Sequence, residues 1–456
     1  MNNLDNFISK RVTYPLFVYN SYTVTEREDS IFVEYNFKIE GLSEFHPTWT
    51  FPKPENFTVE KIGKELLDNL FFNLGMVELV SYWKLTCSPK VVIKCGMLDN
   101  EQIAWWKKLY FNGLGEFLYT NGIYDYLKTE AIPFMEMECS INGKSKVYKS
   151  AAQLTGNVIP IGGGKDSVVT LELLKAYKAE NTCYIVNPRG ASTTTACIAG
   201  YDTQYTPRRT LDKNMLELNS QGFLNGHTPF SAILAFSSYI AAIILGKKYI
   251  VLSNEASANE PNVEGTNINH QYSKSIEFEN DFREYYSKYL CENGPEYFSL
   301  LRPWSEWQIV KEFVKHEKYF KDFKSCNVGS KQDIWCENCP KCLYVYIMLC
   351  GHLDKAKIKS IFKTDMLDNE NLKDIFEGLI KPNKDKPFEC VGTKEEINLS
   401  LNTYLRKLGN EKVPVLLEGY ELMEDEKYNK LYNEYNNMFN ESNNVPKEYA
   451  NFLKEV

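Results

Sequence analysis

Four absences narrow what this 456-residue chain can do. It has no basic excess: 52 lysines and arginines stand against 60 aspartates and glutamates, a net charge of -8. Without a positive field to draw in a polyanion, nucleic acid is a disfavoured partner. There is no secretory signal, because residues 1–17 mix Asn, Asp, Lys and Arg with isolated apolar side chains and offer no cleavage site. No run is fit to cross a bilayer. The most apolar stretch, from Phe230 to Leu245, is short and broken by Ser231, Ser237 and Ser238, so it predicts a buried helix and no membrane partner. Lastly, no repeat of solenoid or propeller period recurs. The expected location is the reducing cytoplasm, where the twelve cysteines are thiols and any tight group of them is a metal site.

What is present is enough apolar material, 43% of the residues, for two or three domains. Residues 1–155 begin with alternating runs such as Ser30 to Lys38, then turn helical around Gly63 to Tyr82 and Gln102 to Asn121, which predicts an α+β domain. Residues 156–350 alternate short β-branched runs with helical patterns, the mark of an α/β fold with a parallel sheet. Strands are expected at Asn157 to Ile161, Thr182 to Val186 and Tyr249 to Leu252, with helices at Ser167 to Glu180 and Pro229 to Leu245. Ser305 to Gln308 reads as a capping box. Residues 351–456 predict a C-terminal helical extension with a polar tail.

The chemistry begins at Gly162-Gly163-Gly164-Lys165-Asp166-Ser167, between the first of these strands and its helix. Glycines permit close backbone approach, and a helix N-terminus offers N–H groups to phosphate. The Walker A pattern needs Ser or Thr directly after Gly-Lys, and Asp166 intervenes, so a P-loop NTPase is the wrong reading. The spacing resembles the Ser-Gly-Gly-x-Asp-Ser loop of the PP-loop ATP pyrophosphatases, with Gly162 in place of the first serine. That resemblance implies ATP as co-substrate and Asp166 as a magnesium ligand.

Cys326, Cys336, Cys339 and Cys342 are spaced C-x9-C-x2-C-x2-C, close enough to meet one ion tetrahedrally. Four thiolates leave no open position, so the expected metal is structural zinc; an iron–sulfur cluster uses the same ligands and stays an open alternative. Most of the other cysteines, Cys183 and Cys350 among them, read as small buried hydrophobes.

Several further runs are too polar for core: Asn225 to Phe230, Ser253 to Glu260 and Asn269 to Lys274. With the glycine loop, Trp335 to Leu343, Lys386 to Thr393, Val80 to Cys87 and Trp105 to Glu116, they are similar to the MurL-type UDP-N-acetylmuramoyl-L-alanyl-L-glutamate epimerases along nearly the whole chain. The resemblance implies that the terminal L-glutamate of a peptidoglycan precursor is inverted to D-glutamate while ATP yields AMP and pyrophosphate. It also implies a PP-loop ATP-binding domain over 156–350.

Adenylation makes sense of the inversion, since a free carboxylate beside Cα–H opposes carbanion formation and an acyl adenylate does not. A base then removes the proton and the opposite face is reprotonated. His270 and Glu255 are the preferred acid–base candidates, with His227, Lys274 and Cys390 beside them, the last as an opposite-face thiol acid. Asn254 and Glu260 are expected with Gly162 to Ser167 at the nucleotide. Arg189, Arg208 and Arg209 are candidates for substrate carboxylate or diphosphate, and Trp83, Trp105 and Trp106 are expected mainly in the core. The competing reading is a PP-loop ligase that captures an adenylate to form an amide or nitrile, or to thiolate tRNA; the third is a catalytically silent nucleotide sensor.

Overall fold

A computed structural model describes residues 3–55, 57–141, 146, 148–149 and 153–455. In chain order its strands are β1 (Leu16–Glu26), β2 (Ser30–Ile39), β3 (Ser43–Phe45), β4 (Thr48–Pro52), β5 (Lys90–Ile93), β6 (Glu136–Cys139), β7 (Asn157–Pro160), β8 (Asn181–Tyr184), β9 (Arg208–Thr210), β10 (Tyr249–Leu252) and β11 (Glu296–Ser299). They form two sheets. One runs β6-β5-β1-β2-β4-β9 with β3 attached to β2; the other runs β11-β10-β7-β8, with β10 parallel to β7. The four residues of β7 and of β10 are all buried, as strands of a covered parallel sheet must be.

The larger sheet is mixed: β1–β2, β2–β4 and β4–β9 are antiparallel, whereas β5 pairs with β1 and β6 in parallel. Alternation along β2 points Ile31, Val33, Tyr35, Phe37 and Ile39 inward. The helix Lys64–Trp83 is buried along most of its length and tied to the sheet by the Tyr35 hydroxyl, which donates to the Phe71 carbonyl at 3.1 Å. Glu78, fully buried on this helix, accepts from Trp49 Nε1 at 2.8 Å and from the Arg209 guanidinium. The helix Phe230–Leu245 packs against Lys64–Trp83 and is buried on nearly all sides, as its composition requires. Among the described residues no helix is long and apolar enough to cross a membrane.

The protein is thus mixed α/β with a parallel sheet and many helices. Its two compact units interleave in sequence. The first comprises Met1–Val158, Tyr205–Ile250 and Ile268–Tyr297; the second comprises Ile159–Gln204, Val251–Asn267 and Phe298–Val456. The expected segments 1–155, 156–350 and 351–456 are consecutive and so follow different lines. The reason lies in long-range packing: β9 completes the sheet begun by β1, and the helix Pro340–Cys350 lies against Lys394–Leu408. The polar tail is helical at Asp425–Asn436 and Lys447–Glu455, held through Tyr435 packed on Trp307 and Leu399.

Candidate functional site

The glycine loop joins β7 to the helix Lys165–Leu173. Gly163 has φ +86°, and a Cβ there would stand 2.6 Å from the backbone of Ala191 and Ser192. Only glycine fits that position. No side chain caps the helix at Gly164, which leaves its first N–H groups facing the loop, while the Gly162 N–H donates to Ser167 Oγ at 3.1 Å. That is the backbone arrangement an anionic phosphate requires.

Beneath the loop sits a dry cluster of charge. Lys165 and Glu306 are each 2% exposed, with Nζ 2.6 Å from Glu306 Oε2 and in contact with Asp166. Burial opposes the lysine charge, but Asp166 and Glu306 outweigh it and hold Nζ protonated. For Glu306 burial dominates and pushes its carboxyl up to about 7, against the pull of Lys165. Carboxylate oxygens of Asp166, Glu255 and Glu306 lie within 4.8 Å of one another, a donor set that suits a hard divalent cation. Glu255 is fixed from behind, where the fully buried Arg302 donates from Nη1 to its carbonyl at 2.5 Å. Thr170 Oγ1 donates to Ser253 Oγ at 2.8 Å and Asn254 Nδ2 to Ser299 Oγ at 3.0 Å, tying the strand ends to the loop helix.

Glu306 was hidden in the sequence because an acid in the first turn of a capped helix reads as a partner for the helix dipole. The capping box is there, Ser305 with Gln308, but the Glu306 side chain turns inward. The signal available was a charge set among Trp304, Trp307 and Ile309 with Arg302 nearby.

The four cysteines converge as their spacing predicts. Cys326 and Cys339 sulfurs are 3.8 Å apart, Cys336 and Cys342 sulfurs 3.7 Å, and all four lie within 4.8 Å of one another. One ion holding sulfurs tetrahedrally at about 2.3 Å separates them by about 3.8 Å, so the donor set fits a single ion. An iron–sulfur cluster would spread its cysteines over several irons and need wider spacing.

A second constellation lies within the first unit. His270 Nδ1 is 2.5 Å from Glu116 Oε2, His227 Nδ1 is 3.4 Å from the same oxygen, and the two rings are 4.4 Å apart. Lys84 Nζ donates to Thr228 Oγ1 at 2.7 Å and to the Gly226 carbonyl, bracketing His227. Burial, helped by repulsion from Arg209, lowers Lys84 to about 8. Burial also lowers His227 to about 3, with His270, Lys84 and Lys274 adding to the effect. Glu116 and Lys84 were not singled out from the sequence as chemical groups, although both lie in the motif runs Trp105 to Glu116 and Val80 to Cys87.

The expected acid–base residues therefore assemble as two sets. His227, His270 and Lys274 belong to the first unit; Glu255 and Cys390 belong to the second, as does Glu260, expected at the nucleotide. His270 has Glu116 as its carboxylate, not Glu255. Glu260 pairs with the buried Lys386 at 2.9 Å, and the Cys390 carbonyl accepts from Lys341 Nζ. Arg209 is spent on Glu78 inside the first unit, which removes it as a substrate ligand, while Arg189 and Arg208 are exposed. Trp83 and Trp106 are fully buried and Trp105 Nε1 donates to the Asp281 carbonyl at 3.0 Å, so these rings pack the core.

A family model described as the MurL N-terminal domain matches residues 8–300, and one described as the MurL C-terminal domain matches residues 322–434. A curated relative from Xanthomonas oryzae is 32% identical over 71% of each chain. Another from Salinispora tropica is 31% identical over 75% of this chain and 74% of its own. A third, from a Micromonospora strain, is 30% identical over 80% of each. All three carry the name UDP-N-acetyl-alpha-D-muramoyl-L-alanyl-L-glutamate epimerase. No solved structure matches the chain.

Proposed function

The chain belongs to the MurL family, and on that premise we propose that it is an ATP-dependent epimerase of UDP-N-acetylmuramoyl-L-alanyl-L-glutamate. It adenylates the terminal L-glutamate carboxylate, inverts Cα to the D configuration and releases AMP and pyrophosphate. The observation that carries this reading is the uncapped helix start at Gly164–Lys165, with Gly163 forced to positive φ and a buried lysine–carboxylate cluster beneath it.

In this reading the second unit performs activation. Backbone N–H groups at the uncapped helix start, residues 163–167, hold pyrophosphate oxygens, as in the PP-loop ATP pyrophosphatases, and Lys165 turns its charge from Glu306 toward them. Magnesium, held by oxygens drawn from Asp166, Glu255 and Glu306, supplies charge neutralisation for the phosphates when bound. Zinc would be held by Cys326, Cys336, Cys339 and Cys342, and four thiolates would give it a structural role.

The first unit performs proton transfer. His227, kept neutral by burial, and His270, hydrogen-bonded to Glu116, are acceptors for the Cα proton once adenylation has removed the carboxylate charge. Incubation with ATP, magnesium and the L-glutamate-terminated precursor in deuterated water tests the reading. Deuterium at Cα accompanied by AMP is expected. Absence of both products would sink the proposal, and AMP with a new covalent adduct but no Cα deuterium would favour the ligase instead.

A further inference from the structure

We propose that Glu116 is the positioning residue of a one-sided proton-transfer arm, orienting His270 through Nδ1 with His227 drawn in beside it, so that both imidazoles serve one face of the glutamyl Cα. The inference rests on the epimerase reading above and adds to it which groups act together and from which side.

The geometry starts with what a carboxylate can do. A carboxylate oxygen accepts, so His270 Nδ1, hydrogen-bonded to Glu116 Oε2 at 2.5 Å, carries the proton, while His227 Nδ1 stands 3.4 Å from the same oxygen. The Nε2 of His270 is then left with its lone pair, which is the tautomer a base needs. The 2.5 Å separation is a hydrogen bond. Two atoms ligating one ion at about 2.1 Å and at right angles would stand about 3 Å apart. Lys84 supports the arrangement from the backbone side, binding the Gly226 carbonyl and Thr228 Oγ1 on either side of His227.

One-sidedness follows from space. The ring centroids are 4.4 Å apart. A carbon lying between two rings needs about 7 Å, two van der Waals contacts of about 3.5 Å each. The reacting carbon therefore lies to one side of the pair, and the two histidines cannot be the opposing bases of a two-base inversion. In the step so defined, the Cα proton passes to Nε2 and the C–H electron pair stays on the substrate as an enolate. An acid outside the pair protonates the other face, and the imidazolium returns its proton to water, so protons balance over the cycle.

The test compares wild type, Glu116→Gln, Glu116→Asp and His270→Asn on the L-glutamate- and D-glutamate-terminated precursors, reading Cα deuterium uptake and ATP–pyrophosphate exchange. For Glu116→Gln and His270→Asn, uptake from one epimer should fall by about 100-fold or more, the same epimer in both variants, as expected for loss of a general base. Uptake from the other epimer and pyrophosphate exchange should persist. Glu116→Asp, which keeps the charge, should recover part of the lost uptake. Equal loss from both epimers would overturn one-sidedness. Unchanged uptake in Glu116→Gln would overturn the positioning role, as would loss of pyrophosphate exchange in that variant while Glu116→Asp behaves as wild type. If wild type itself shows neither deuterium uptake nor pyrophosphate exchange, the epimerase reading fails, and this inference with it.

Discussion

The two constellations handle charge in opposite ways. In the second unit Lys165, Glu306 and Glu255 are buried and Asp166 is partly exposed, and the lysine pairs with Asp166 and Glu306. In the first unit Glu116, His227 and His270 keep 14–21% side-chain exposure and gather at a single oxygen, to which His270 is hydrogen-bonded and His227 stands at 3.4 Å. A buried ion pair such as Lys165 with Glu306 is stable only while each member has its partner, because removing one leaves an uncompensated buried charge. A half-open histidine cluster tolerates change of protonation, which is what proton transfer demands. The difference fits activation in one unit and inversion in the other, and it is open to attack by experiment.

The largest expected effect is loss of the four-thiolate ion. Cys339→Ser, or stripping the metal with a chelator, should destabilise the second unit by on the order of 5 kcal/mol, because binding free energy at such sites is folding free energy. Metal analysis should fall from one ion per chain to almost none, and limited proteolysis should cut within Phe298–Val456 before it cuts the sheet of β1 and β2. Equal cleavage of both units would break the comparison at its root. Next comes Lys165→Met, which strands Asp166 and Glu306 without a cation. A cost of about 3–5 kcal/mol in denaturant unfolding is expected, together with loss of pyrophosphate exchange. A variant as stable as wild type would show that the acids are solvated. Gly163→Ala should cost less, about 1–3 kcal/mol, since it combines positive φ with a Cβ 2.6 Å from Ala191. Its thermal midpoint and ATP affinity should drop together.

How much of this was legible beforehand depends on whether local pattern or distant partner decides a residue's role. β7, β10 and the helix Phe230–Leu245 were readable because short β-branched runs and a nearly all-apolar segment dictate burial locally. The cysteine site was readable because three of its ligands lie within seven residues. Glu306, Glu116 and Lys84 were not singled out, since each takes its meaning from partners more than a hundred residues away: Lys165, His270 and Thr228. Arg209 shows the converse. Its sequence context suits an anion ligand, and only the sheet pairing of β4 with β9 reveals that it is committed to Glu78.

The finest distinction between the two clusters is the sign of their pH dependence. His227 has its pKa lowered to about 3 in the folded protein, from an ordinary value near 6.5. Between those values the unfolded chain binds the extra proton, so the histidine's contribution to stability is present above pH 6.5 and is lost as pH falls. Glu306 runs the other way. Burial raises its pKa to about 7 from 4.5, so in that interval the folded state holds the extra proton and stability is lost as pH rises. Unfolding free energies measured from pH 4.5 to 8 for His227→Leu and Glu306→Gln, each relative to wild type, should therefore slope in opposite directions. For His227→Leu the relative gain at pH 4.5 should be about 1–2 kcal/mol, below the roughly 2.7 kcal/mol that the two pH units from 6.5 to 4.5 would supply in full, because the ring is partly exposed. If both variants slope alike, the two units share one electrostatic regime, and the separation of a dry activating cluster from a titrating one fails.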